Sequence, residues 1–273
     1  GSMVNLPVFV ELIRLCNRFD VKIIEDCAHS FLTKVHDEEL GNKGDIAIYS
    51  MRKILPIYDG GCLRINTSGL IDHKLSNPSR FKMREFNYHT QRMIEKIVFY
   101  TLRINIYSNW FLHIRAVCGK LISSNVRSTS FFDTKHERKP SYSLVSYLNS
   151  ESYIHQTKVA RVENYRSLLN FFSSLGFKAQ FMDLPEGCVP YFLAIKSNDA
   201  DRLYQLMRSN GIGVTKWPGD ELPEIVAKNA LWYPITCSLN ESLLFVPVHQ
   251  DLTLRQLKKI KLLFKCRFPD FMR

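Results

Sequence analysis

Apolar and polar positions change their period several times along the chain. In LPVFVELIRLCNR (residues 6–18) apolar residues recur every three or four positions, which predicts an amphipathic helix ending at about Arg18. The run VKII (21–24) follows, continuous and rich in β-branched residues, and predicts a buried strand. Further strands are predicted over 45–49 and 62–65. Alternating helix and strand in this way predicts an α/β layer with a largely parallel sheet.

Residues 80–122 contain long apolar stretches, including MIEKIVFYTLRINIYSNWFLHIRAVCGKLI. Arg103, Asn105, Asn109, His113 and Arg115 interrupt them, and a membrane span rarely tolerates so many polar groups. A buried or interface helix pair is therefore predicted in preference to a basic amphipathic segment resting on a membrane surface. Residues 125–143 are polar and predict a linker or exposed crossing. Beyond it come a helix over 156–175, a strand over 189–195, a helix over 199–210, the segments GIGVTKWP and LLFVPVHQDLT, and a basic final helix. This block predicts a small α+β domain, and the chain divides into 3–80, a helical segment and linker over 81–145, and 146–273.

Composition narrows the class. With 45% hydrophobic, 12% aromatic and 23% charged residues, the 273-residue chain can build a core. Its net charge of +11 predicts attraction to something anionic: the phosphates of a small ligand, nucleic acid or a membrane surface. The basic run KHERKP lacks the interleaved aromatics that stack bases, so it predicts a solvated surface and no nucleic-acid partner. Seven cysteines without CxxC or other metal-ligand spacing predict reduced, mostly buried thiols and no metal site. Gly1 and Ser2 read as a cloning remnant ahead of Met3, and the following residues lack the features of a signal peptide, which predicts a cytoplasmic protein.

Candidate chemistry lies where the first two strands end. EDCAH follows VKII and places Glu25, Asp26 and His29 there, while YSMRK places Ser50 and Lys53 at the end of the next strand, ahead of LPIYDGG. Ligands of α/β sheets gather at the carboxyl ends of strands, so both sets can face one crevice. A lysine desolvated beside other cations presents a neutral amine that can form a Schiff base with an aldehyde. Were that aldehyde pyridoxal phosphate, Asp26 could keep the ring nitrogen protonated, Ser50 could hold the phosphate, and Gly60 with Gly61 would let the chain turn closely past the cofactor. Taken singly, Asp26 fits a helix cap or turn, His29 a packed histidine, Ser50 a loop serine and Lys53 a surface lysine. It is the ordered set that points to chemistry.

At these residues the sequence resembles the DegT/DnrJ/EryC1/StrS family of pyridoxal-phosphate-dependent sugar aminotransferases. IIEDCAHSF is similar to the family's strand-end segment and YSMRKILPIYDGG to its lysine loop, while RVENY, VPYFLAI, GIGVTKWP and LLFVPVHQDLT resemble its C-terminal domain in order. The resemblance implies the type I fold, with an incomplete cofactor-binding large domain in 3–80. It implies Lys53 as the cofactor lysine, with Asp26, His29 and Ser50 around the cofactor. Asn87 matches an asparagine that reaches a neighbouring subunit's cofactor phosphate, although a helix-capping role fits it as well. Trp217 and His249 could line the sugar pocket, with core packing and a turn as their alternatives. The implied activity is transfer of an amino group from an amino-acid donor to a nucleotide-linked keto sugar in glycan or polysaccharide biosynthesis, by a homodimer. The family's usual segment ahead of VKIIED has no counterpart here, so the resemblance implies an N-terminally truncated relative with three neighbouring large-domain strands. That departure leaves a second reading open: an inactive assembly or scaffolding subunit.

Overall fold

The structure, a computed structural model, describes residues 6–35, 37–57, 60–70, 86, 89–90, 93–94, 142–217, 219 and 222–267. Helix α1 (Leu6–Arg18) leads into β1 (Ile24–Asp26) through a turn in which Asp20 takes a left-handed φ of 51° and Val21 N–H donates to the Cys16 carbonyl at 2.9 Å. A short hairpin, β2 (Lys34–Val35) and β3 (Glu38–Glu39), separates β1 from β4 (Ile46–Ser50). A single 3₁₀ turn (Met51–Lys53) and a loop then lead to β5 (Gly61–Ile65).

These strands form a three-stranded sheet in the order β1-β4-β5. The β1–β4 pair is parallel and the β4–β5 pair antiparallel, so the sheet is mixed, against the largely parallel sheet expected from sequence. Chain economy explains the difference. A parallel return needs a crossover of about a dozen residues or more, usually helical. Here instead the two ends of the connection meet, with Met51 N–H donating to the Gly60 carbonyl at 3.1 Å.

The strand period of two sorts this sheet into unlike faces. On one, Ala47 and Tyr49 pack with Cys27, Met51, Ile54, Leu55, Ile57 and Leu144 into a buried cluster. The register Ile24↔Ile46, Asp26↔Ile48↔Leu63, Ile46↔Ile65 and Ser50↔Gly61 assigns the others to the opposite face. That face is open: Ile24 is 61% exposed, Ile48 and Leu63 46% each, and Ile65 39%. The VKII run is thus not the buried strand its composition suggests, because no described element covers the face Ile24 occupies. α1 likewise leaves Val10, Leu12 and Leu15 exposed.

The second sheet is antiparallel in the order β6 (Lys178–Ala179), β7 (Phe192–Lys196), β9 (Leu243–Pro247), β8 (Thr215–Lys216). Before it come α2 (Tyr142–Leu148) and the long α3 (Glu151–Ser174), capped by the Ser150 hydroxyl accepting from Tyr153 N–H. Between its strands lie α4 (Ala200–Ser209), α5 (Glu224–Lys228) and α6 (Pro234–Ser242), and α7 (Leu254–Arg267) closes the described chain. Buried positions of α3 fall at 157, 161, 164, 165, 168, 169 and 172, the spacing of one helix face. Leu168 and Phe172 from that face meet Leu193, Ile195, Leu244 and Val246 of the sheet, Leu203 and Met207 of α4 and Phe264 of α7. The α+β pattern expected for this block is the pattern observed.

Among the described residues no helix is long and apolar enough to cross a membrane and no cluster of His, Cys, Asp and Glu could hold a metal. The helix pair expected over 80–122 and Asn87 lie outside the described residues, apart from Phe86, His89, Thr90, Met93 and Ile94. Cys16, Cys27, Cys62, Cys188 and Cys237 are free thiols; of these five only Cys27 is buried and the others are half-buried, against the expectation of mostly buried thiols.

Candidate active site

The three ionisable groups at the end of β1 take three directions. The Glu25 carboxylate turns to the loop before β4, where its Oε1 accepts from Lys43 N–H at 2.8 Å and Gly44 N–H at 2.6 Å. Its work is structural. Asp26 stands on the open face and is exposed, with Oδ1 accepting from Ala28 N–H at 3.0 Å. His29 is half-buried against Tyr191 and Phe192, at ring-centroid distances of 5.0 and 6.2 Å.

Strand β4 supplies the other half. Ser50, its last residue, lies two positions beyond Ile48, the partner of Asp26, so Asp26 and Ser50 belong to the same open face. Met51, Ile54 and Leu55 are buried and anchor the 3₁₀ turn, which leaves Arg52 exposed and Lys53 half-buried. Ile54 and Leu55 N–H both donate to the Met51 carbonyl, at 3.0 and 2.8 Å, and tighten it. Gly60 is favoured here by its backbone, since at a φ of 148° an L side chain is strained, and an added Cβ would also press on the side-chain ends of Ile57 and Leu144, at 2.9 and 3.1 Å.

Electrostatics ties the groups together. Burial lowers the Lys53 amine below the ordinary lysine value; Arg52 beside it lowers it further, and Asp26 opposes both. His29 is lowered by burial first and by Lys53 second, with Asp26 opposing. Asp26, His29 and Lys53 thus share one electrostatic neighbourhood, in which the amine and the imidazole are both shifted toward their neutral forms.

Lys53 also borders a cavity of about 290 Å³ between the two sheets. Arg52, Tyr191, Phe192, Phe245, His249 and Asp251 line it with Lys53, while Asp26, His29 and Ser50 do not. Trp217 is not among the lining residues. It stands 41% exposed one ring further out, edge-on to Phe245 at 5.9 Å, and its carbonyl accepts from Asn240 Nδ2 at 2.7 Å. The structure therefore brings Asp26, His29, Ser50 and Lys53 to one strand-end edge, places His249 with Lys53 in the cavity lining and leaves Trp217 outside it.

Sequence reasoning passed over Arg52, Tyr191, Gln250 and above all Arg161. Arg161 is 2% exposed, yet its hydrogen-bond partners are carbonyl groups and the Gln250 amide, with no carboxylate among them. Burial pushes its guanidinium down to about 10, which still leaves it charged at neutral pH. A signal was present, since Arg161 falls at helical spacing on the face that carries Tyr165, Leu168 and Phe172.

Residues 3–108 match the DegT/DnrJ/EryC1/StrS aminotransferase family. This match covers the segment that holds the strand-end and lysine-loop motifs. No curated protein matches the chain. Among solved structures, the Helicobacter pylori aminotransferase PseC of pseudoaminic acid biosynthesis is 13% identical with a TM-score of 0.59, over 99% of this chain and 65% of that one. A DegT DnrJ EryC1 StrS aminotransferase from Brucella abortus is 16% identical with a TM-score of 0.54, over 93% of this chain and 59% of that one. The E. coli GDP-4-keto-6-deoxy-D-mannose-3-dehydratase, solved with bound hydrated pyridoxal phosphate, is 14% identical with a TM-score of 0.53, over 93% and 63%. The fold is that of the type I pyridoxal-phosphate aminotransferases, with a partial first sheet, and the chain spans about six-tenths of the length of the structures it matches.

Proposed function

We propose that this chain carries the lysine side of a pyridoxal-phosphate site of the sugar-aminotransferase type, acting on a nucleotide-linked keto sugar with an amino-acid donor. One observation carries the reading: Lys53, its amine lowered by burial and by Arg52, sits on a turn beside a cavity and shares its electrostatic neighbourhood with Asp26 at the adjacent strand end. The donor set fits the cofactor, offering an amine eased toward its neutral form, a carboxylate with an oxygen to spare, a hydroxyl on the same face and a half-buried ring. Pyridoxal phosphate, when bound, supplies an aldehyde for covalent attachment and a ring that takes up electrons. Lys53 would hold it, and afterwards accept and return the proton at the substrate carbon. Asp26 would keep a proton on the ring nitrogen, Ser50 would donate its hydroxyl hydrogen to the phosphate, and His29, packed on Tyr191, would shield one side from water. Arg52 and His249, both lining the cavity, suit an anionic, hydroxyl-rich substrate such as a sugar diphosphate.

Titrating the protein with pyridoxal phosphate tests this reading. The visible absorbance that the cofactor acquires on covalent attachment to a lysine should appear with the wild type and be absent with Lys53→Ala. Identical spectra from the two proteins would remove Lys53 from the role.

A second reading, an assembly subunit without activity of its own, is favoured by the apolar open face of Ile24, Ile48, Leu63 and Ile65. On either reading we propose that a second copy of the chain covers apolar surface to give a homodimer. Light scattering across micromolar concentrations should give a dimeric or larger mass that survives high salt, and a strictly monomeric mass would refute it. Scattering that shows a dimer, together with no cofactor attachment, would favour the assembly reading.

A further inference from the structure

The Lys53 turn is secured by a buried cation that lines the same cavity. Arg161 lies on α3, and its guanidinium reaches three separate segments. Nη2 donates to the Lys53 carbonyl at 3.4 Å and to the Ile54 carbonyl at 3.2 Å. Nη1 donates to the Pro190 carbonyl at 3.1 Å and the Tyr191 carbonyl at 3.4 Å, just before β7. Nε donates to Gln250 Oε1 at 2.9 Å, and Gln250 Nε2 returns to the Ile54 carbonyl at 3.0 Å.

A one-turn 3₁₀ helix leaves its last carbonyls without helical partners. Here Arg161 and Gln250 take up those of Lys53 and Ile54. The same guanidinium holds the backbone of Tyr191, whose ring packs on His29 at 5.0 Å. The arrangement costs the burial of a cation without a carboxylate hydrogen-bonded to it, which core packing alone does not call for. A fixed, planar fork of donors is what several convergent carbonyls require, and Lys, with one nitrogen, cannot reproduce it.

We propose that Arg161, with Gln250 as its partner, is a positioning residue: it fixes the Lys53 turn and the Tyr191–His29 wall relative to one another, so that the lysine amine is held at the cavity edge. The functional side of this proposal rests on Lys53 being the cofactor lysine, whereas the structural side does not.

The test uses the whole chain and two variants, Arg161→Lys, which keeps the charge but loses the fork, and Gln250→Leu, which removes one carbonyl donor and the acceptor of Arg161 Nε. In the first arm, without cofactor, the pH midpoint of Lys53 acetylation by trace acetic anhydride is read by peptide mass spectrometry. Lys53 interacts with Arg52 on its own turn and with Asp26 and His29 at the end of β1, and it shares the cavity lining with His249 and Asp251; none of these is altered in the variants. The wild-type midpoint should lie below the ordinary lysine value, and in folded variants it should rise toward that value as the turn loosens and the amine hydrates. In the second arm, borohydride trapping of pyridoxal phosphate on Lys53 should fall about tenfold in the variants, because a misplaced reacting group loses rate steeply. Variants with wild-type circular dichroism, midpoint and trapping would overturn the proposal. Should Arg161→Lys fail to fold, Gln250→Leu decides. Should the wild type trap no cofactor, the cofactor reading falls, and the midpoint alone supports or overturns the positioning role.

Discussion

Glu25 and Asp26 are adjacent carboxylates with opposite assignments, and exchanging each for alanine separates them. The Glu25 carboxylate accepts two backbone bonds, at 2.8 and 2.6 Å, that hold the loop leading into β4. A hydrogen bond to a charged group contributes about 1.5–3 kcal/mol, and partial exposure puts these two near the lower end, so Glu25→Ala should cost about 2–3 kcal/mol in total. Glu25→Gln keeps a carbonyl oxygen for the same donors and should cost only about 1 kcal/mol. Asp26 makes one exposed bond, to Ala28 N–H at 3.0 Å, and its removal should cost about 0.5 kcal/mol. Urea unfolding followed by circular dichroism measures these differences. Pyridoxal-phosphate titration of the same proteins should show the reverse order, with binding weakened by Asp26→Ala and nearly kept by Glu25→Gln. Equal stability of Glu25→Ala and wild type, or cofactor binding that depends on Glu25 and not on Asp26, would refute the division of labour.

Thr157 is 1% exposed and its hydroxyl has no partner, so Thr157→Val should stabilise the protein by about 1 kcal/mol in urea unfolding. Phe172 is 1% exposed and packs edge-on to Phe264 at 5.0 Å and Phe177 at 5.7 Å; Phe172→Ala should cost about 3–5 kcal/mol by the same assay. The Asp45 carboxyl is held below its usual value, first by the Ile23 N–H at 2.8 Å and then by the Thr67 hydroxyl at 2.7 Å. A depressed carboxyl pKa contributes stability that is complete above the unfolded value near 3.8 and is lost as pH falls through the folded value, so Asp45→Asn should flatten the loss of stability on acidification below about pH 4.

Much of the strand-end edge was legible because its information is local. Asp26, His29, Ser50 and Lys53 fall in two short motifs that end neighbouring strands, and the order of the motifs sets the order of the strands. The direction of β5 was not legible in the same way, since it depends on the bond between Met51 N–H and the Gly60 carbonyl. Burial of VKII was misread because an apolar run reports what a strand could bury, while exposure depends on which layers lie over it. Arg161 was within reach, as a cation in helical register with Tyr165, Leu168 and Phe172 on α3, but two of its targets are backbone carbonyls more than a hundred residues earlier in the chain, at Lys53 and Ile54, and carbonyls leave no trace in the side-chain pattern. The contrast between Trp217 and His249 belongs to the same class, for both precede or follow short strands of one sheet and only the fold decides which borders the cavity.

The most direct measurement is reduction of the protein with borohydride in the presence of pyridoxal phosphate, followed by peptide mass spectrometry. A single phosphopyridoxyl adduct on Lys53, absent from Lys53→Ala and much reduced in Asp26→Ala, is the predicted result. No adduct on Lys53, or adducts scattered over exposed lysines and unchanged in the Lys53→Ala variant, would contradict the assignment of this strand-end edge as a cofactor site.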